Sequence, residues 1–164
     1  KRCVIKTQSQ EVFKKYTVIF AISTKGVIGW TLYEKGGIDS DRLIKFLDKY
    51  VTSKYKNKLV IMDNASSHRN KEVQKVINKG NKLMYSIVYQ PYTNCIENYF
   101  SVFKSRLQKK QGIGYVELKE NIKKVINEIP EQIYYNIFKG SYRREPKYIK
   151  KKDSNRKKTP KNYK

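Results

Sequence analysis

A chain of 164 residues with 37 Lys and Arg against 14 Asp and Glu, a formal charge of +23, is long enough for one domain with a proper core and gives no reason to expect two. Such an excess concentrates polyanions and speeds encounter with them, so nucleic acid is the first candidate partner; a plain compositional bias toward Lys, Ile, Asn and Tyr is the bland alternative. Cys3, Cys95 and His68 cannot make the spaced pairs of a structural zinc site, no apolar run reaches the roughly 18 residues of a membrane span, and no signal-peptide pattern opens the chain, which therefore reads as soluble and intracellular.

In chain order, the run Arg2-Cys3-Val4-Ile5-Lys6 is a candidate edge strand. Tyr16 to Ser23 is nearly continuous in apolar and β-branched residues, the pattern of a strand buried on both faces. Thr24-Lys25-Gly26 turns it, and Val27 to Tyr33 follows at hairpin distance. Gly36-Gly37 breaks the pattern, after which Asp39 or Ser40 caps a helix carrying Leu43, Ile44, Leu47, Tyr50 and Val51 on one face. Lys58 to Asn64 predicts a third strand, Asn70 to Lys79 a short helix with Val73, Val76 and Ile77 inward, and Leu83 to Tyr89 a fourth strand. A strand, helix and strand at this spacing imply a parallel right-handed crossover. The expected class is α/β, a mixed sheet with an antiparallel hairpin first and parallel strands after, flanked by helices.

Ile96, Tyr99, Phe100, Phe103 and Leu107 mark the buried stripe of a further helix, and Glu97, Ser101, Lys104 and Gln108 fall on another stripe. One or two more helices lie between Tyr115 and Phe138, with Pro130 as the break. Apolar patterning stops after Gly140. Residues 1–140 thus read as one folded domain and 141–164 as a basic tail, containing Arg143, Arg144, Lys150, Lys151 and Lys152, that stays flexible unless it binds something.

Two acids stand out. Asp63 closes the apolar run Leu59-Val60-Ile61-Met62, and Glu97 opens the helix at Ile96. Each has an ordinary explanation: a loop acid or helix cap for Asp63, and for Glu97 a first-turn acid complementing the helix dipole, worth about 0.3 to 1 kcal/mol. Six residues separate Asp63 from Asn70, however, so Ser67 or Asn70 is better placed to cap the next helix. Carboxylates on two rigid elements of a basic chain supply hard oxygen donors for magnesium. Two such ions about 3.5 to 4 Å apart can both activate a hydroxyl and stabilise a leaving oxygen at a phosphodiester.

The segment Leu59-Val60-Ile61-Met62-Asp63-Asn64-Ala65-Ser66-Ser67-His68 resembles the strand of DDE transposases that ends in Asp-Asn-Ala-x-x-His. Tyr89 to Lys104, with Pro91, Asn94, Ile96 and Glu97, resembles the same family's Tyr-Ser-Pro-x-x-Asn-Pro-Ile-Glu run. The order of the motifs and the 33 residues between Asp63 and Glu97 are similar to the mariner-like and insertion-sequence branch. The resemblance implies an RNase H-like fold and a nuclease and strand-transfer activity on DNA, both transposon ends and target, served by two Mg2+ or Mn2+ ions and carried out by a homodimer when the protein is full length. In it Asp63 and Glu97 are the second and third acids of a triad and metal ligands. On the residues themselves, Asn64 and Asn94 read as loop-fixing auxiliaries, His68 as a contact to substrate or Asp63 or else an ordinary loop histidine, Lys104 as a phosphate contact or else an exposed helix lysine, and Arg106 and the tail cations as DNA contacts, with an inert tail as the alternative.

Two departures matter. Gln90 and Cys95 replace the family's serine and proline in the loop that aims the Glu97 helix, and no convincing first acid precedes Tyr16, since Glu11 sits in a polar stretch. The expectation is that the first acid and its strand lie upstream of Lys1 and that this chain alone does not cleave DNA efficiently. The rival readings are a non-catalytic DNA-binding remnant of a transposase and a hydrolase of RNA–DNA hybrids.

Overall fold

The computed structural model of the chain describes residues 15–86, 94–110 and 114–142. The candidate strand at Arg2, the end of the fourth predicted strand, the loop from Tyr89 to Thr93 and the cations from Arg143 onward lie outside the described residues.

β1 (Thr17–Ser23) and β2 (Gly26–Tyr33) form the expected antiparallel hairpin. Gly26, at φ 143°, supplies the positive φ at which β2 begins. The register shifts between Ala21 and Ile22, pairing Ala21 with Gly29 but Ile22 with Val27, so Ile28 is an extra residue on β2. This bulge changes the parity of the strand. Leu32, Trp30 and Val27 face one core, and Ile28 faces the other.

α1 (Ser40–Leu47) is capped by Asp39, whose carboxylate accepts from Arg42 N at 2.8 Å. The helix does not continue in α geometry to Val51. Asp48–Thr52 is a π-helical turn, with Ser53 N donating to Asp48 O at 3.3 Å. Tyr50 on this turn lies over Gly29 so closely that a Cβ at Gly29 would sit 2.3 Å from its ring. β3 (Leu59–Met62), α2 (Lys71–Asn78) and β4 (Lys82–Tyr85) then form the expected strand-helix-strand unit, with β3 and β4 parallel. Asn70 is the N-cap of α2, accepting from Glu72 N at 2.8 Å. α3 (Cys95–Leu107), α4 (Tyr115–Glu128) and α5 (Glu131–Tyr142) complete the described chain, with Pro130 between the last two. No helix among the described residues is long and apolar enough to cross a membrane.

Two cores lie on opposite faces of the hairpin. Phe20 and Leu32 join Tyr99, Phe103, Ile122, Val125, Ile129 and Tyr134 under α3, α4 and α5. Ala21 and Ile28 pack instead with Leu43, Leu47, Val51, Val73 and Ile77, and with Val60, Met62 and Leu83 of the parallel pair. Among the described residues the main-chain ladders are two, β1–β2 and β3–β4, and the second is joined to the first through this shared core. The class is α/β, with strands between two helical layers.

Candidate active site

Asp63 follows directly on β3 because Met62 is the last paired residue, opposite Tyr85. Beyond that pair the chain is held by β4: Ser86 N donates to Met62 O at 2.8 Å, Asn64 Nδ2 donates to Ser86 O at 2.7 Å, and Tyr85 Oη donates to His68 O at 2.8 Å. The loop closes on itself as well, with His68 N and Arg69 N both donating to Ala65 O. Asp63 Oδ1 accepts from Ala65 N at 3.0 Å and lies 2.6 Å from His68 Nδ1. The carboxylate and the nearby Asp63 carbonyl can only accept, so His68 carries a proton on Nδ1 and leaves Nε2 for a partner outside the loop. Oδ2 of Asp63 has no protein partner among the described residues, and the side chain is 45% exposed.

Glu97 stands in the first turn of α3 and is exposed, with its backbone N–H donating to Asn94 O at 3.1 Å. Asn94 is the N-cap residue but makes no side-chain capping bond. α3 is aimed by its buried stripe: the Tyr99 ring meets Phe20 edge-on at 5.2 Å and stacks on Tyr134 at 5.6 Å, and Phe103 lies 4.9 Å from Phe20. Its first turn is also clamped to the end of α5. Asn98 Nδ2 donates to Ser141 Oγ at 3.1 Å, and Cys95 is buried against Tyr142, burial pushing its thiol up while the hydrogen bond with Tyr142 partly offsets this. Helical order therefore reaches Ser141 and Tyr142, residues that the sequence pattern assigned to the tail.

Lys104, seven residues beyond Glu97, is exposed with its ammonium 5.7 Å from the Phe100 ring centroid. Arg106 has a structural task that its sequence position did not reveal: Nη1 donates to Glu128 O at 3.0 Å, and beside it Lys110 pairs with Glu128 at 2.6 Å, so both fasten α3 to the end of α4. The structure thus brings Asp63, Asn64 and His68 together at the end of β3, and Asn94 and Glu97 together at the start of α3. No hydrogen bond or ion pair joins the two groups among the described residues, and these contain no cluster of three or more His, Cys, Asp or Glu side chains able to hold a metal. Tyr85, Ser86, Ser141 and Tyr142 are supports that no local pattern marks, because each acts across 17 to 47 residues of chain.

The sequence profile of the DDE superfamily endonucleases matches residues 1–117. The chain belongs to that family. No curated protein sequence gives a significant match. Among solved structures, the crystal structure of the Mos1 strand transfer complex is similar with a TM-score of 0.72 at 15% identity, over 87% of this chain and 45% of that one. Structures of the Mos1 transposase catalytic domain and raltegravir are similar with TM-scores of 0.65 for the form with Mg, at 16% identity, and 0.63 for the form with Mn, at 15%. In both, 78% of this chain and 78% of that chain are covered. The fold of this DDE-family chain is accordingly that of transposase catalytic domains, the RNase H-like α/β architecture. The chain spans less than half of the transposase in the strand transfer complex.

Proposed function

We propose that this chain is the catalytic core of a DNA transposase, which hydrolyses a phosphodiester at a transposon end and joins the freed 3′ hydroxyl to target DNA. The observation that carries the reading is the presentation of Asp63: a rigid loop, anchored to β4 at three points, holds one carboxylate oxygen on His68 and leaves the other open at the end of a strand.

The donors fit a hard divalent cation, since Asp63 Oδ2 and the exposed Glu97 carboxylate are oxygens without cationic partners among the described residues. Asp63 and Glu97 would hold Mg2+ or Mn2+, which when bound supplies Lewis acidity to the attacking and leaving oxygens. The loop's own contribution is orientation. His68 fixes which Asp63 oxygen is available, and Asn64 and Tyr85 fix where the loop stands. Lys104 and the cations Arg143, Arg144, Lys150, Lys151 and Lys152 are read as phosphate contacts that position DNA without reading its sequence. Arg106 joins them only through the donors left free by Glu128.

The first acid of the family pattern is assigned to a strand outside this sequence. Among the described residues β1 and β3 each have a strand partner on one side only, which supports this, because an added strand has an edge to join. The body of the catalytic domain then extends through α5 to Tyr142, and residues 143–164 form a DNA-contacting tail, within a homodimer that works where cellular DNA is kept. In the intact protein, Asp63→Asn and Glu97→Gln should each lower Mg2+-dependent cleavage and strand transfer by several kcal/mol of barrier, on the order of a thousandfold. The 164-residue chain alone should cleave poorly; Mg2+-dependent cleavage by it at a rate indifferent to Asp63→Asn would sink the assignment.

A further inference from the structure

β2 has a main-chain strand partner on one side only, because β1 takes one edge and among the described residues no strand takes the other. Along the hairpin runs a cleft of about 540 Å³, lined by six consecutive β2 residues, Val27 to Leu32, with Lys49 and Tyr50 on one side and Tyr115, Lys119 and Ile126 on the other. These flanks belong to different layers: Tyr50 packs with the α1 and α2 core, and Tyr115 and Ile126 with the core under α3, α4 and α5. An opening floored by a strand and walled by both covering layers has the section of one more strand, and six residues give it a length of about 20 Å. The bulge at Ile28 breaks the regular ladder, and Tyr115 Oη already donates to Leu32 O at 3.0 Å, so a guest pairs chiefly between these limits, along Gly29 to Thr31 and up to the Leu32 amide.

Charge selects the guest. Lys49 and Lys119 are exposed, flank the cleft from opposite sides and enter no ion pair among the described residues. We propose that the free edge of β2 is a docking site for an extended acidic segment of a partner protein, added as a further strand with its carboxylates beside Lys49 and Lys119. Nucleic acid suits the cleft less well, because a strand edge alternates N–H donors with carbonyl acceptors whereas phosphates only accept. A second copy of the chain would set its own Lys49 and Lys119 against these.

The test is amide NMR of the 164-residue chain titrated with an end-capped hexapeptide of alternating Val and Glu. The expected result is saturable shifts centred on residues 29–32, weakened about tenfold when the peptide is fully N-methylated, since the strand hydrogen bonds are then lost. Lys49→Glu with Lys119→Glu, both at exposed positions, should weaken binding about threefold to tenfold while leaving the circular dichroism spectrum unchanged. The proposal is overturned if no shifts occur at residues 29–32, if the N-methylated peptide or an alternating Val and Lys peptide binds equally well, or if duplex DNA moves the same amides.

Discussion

At the scale of single residues, the contact that most shapes the candidate site is His68 Nδ1 on Asp63 Oδ1 at 2.6 Å. His68 sits behind the carboxylate, so its expected role is positioning. Partners of this kind typically change metal affinity or activity by about 10- to 100-fold when removed. His68→Ala in the intact protein should therefore raise the Mg2+ concentration for half-maximal cleavage and lower kcat, leaving DNA affinity measured without metal unchanged. A loss confined to DNA affinity would assign His68 to substrate instead. Asp63 and Glu97 stand out in the sequence as candidates because each sits inside a run of specific neighbours. Tyr85 and Ser86 were not, since what they do is reach across from a neighbouring strand, and nothing beside them in the chain records it. Arg106 shows the converse: one cation in a basic chain gives no sign that its guanidinium is spent on a helix end.

At the scale of elements, strands and helices followed their apolar periods, and the differences arose where one extra residue shifts a period. On β2 the extra residue is Ile28, which transfers the core-facing parity from Trp30 to Val27. In the helix after Gly37 it is the π-turn, where Thr52 Oγ1 donates to Asp48 Oδ1 at 2.9 Å, and the simple helical spacing that linked Leu47 to Tyr50 and Val51 no longer describes the backbone. Capping was easier to read, because Asp39 and Asn70 announce themselves by residue type and place. Asn70 also donates to Ser40 Oγ at 3.0 Å, tying the start of α2 to the start of α1. Asn70→Ala should cost about 1 kcal/mol in urea unfolding, whereas Asn70→Asp, which keeps the capping oxygen, should cost less. Equal losses would place the effect in the bond to Ser40.

At the scale of the whole molecule, the contact between α3 and α5 couples stability to alkaline pH. Burial raises the pKa of Cys95 above its ordinary 9.0, and burial likewise raises Tyr99, Tyr134 and Tyr142 above 10.0. Groups held neutral in the fold lose their protons first in the unfolded chain. The stability they contribute is therefore fully present below pH 9 and falls as pH climbs through 9 and then 10. Urea midpoints between pH 7 and about pH 10.5 should decline in that window, and Cys95→Ala should flatten the first part of the slope; a profile level to the top of the range would contradict the burial argument. The same molecule contains one position at which physical space has already decided what sequence can do. Tyr50 fills the volume where a side chain at position 29 would stand. The Cβ of Tyr50 lies in that volume as well as its ring, so a smaller residue at position 50 would not make room, and a relative with a side chain at 29 must carry the π-turn farther from β2; a glycine that looks idle in the chain records how closely two backbones approach.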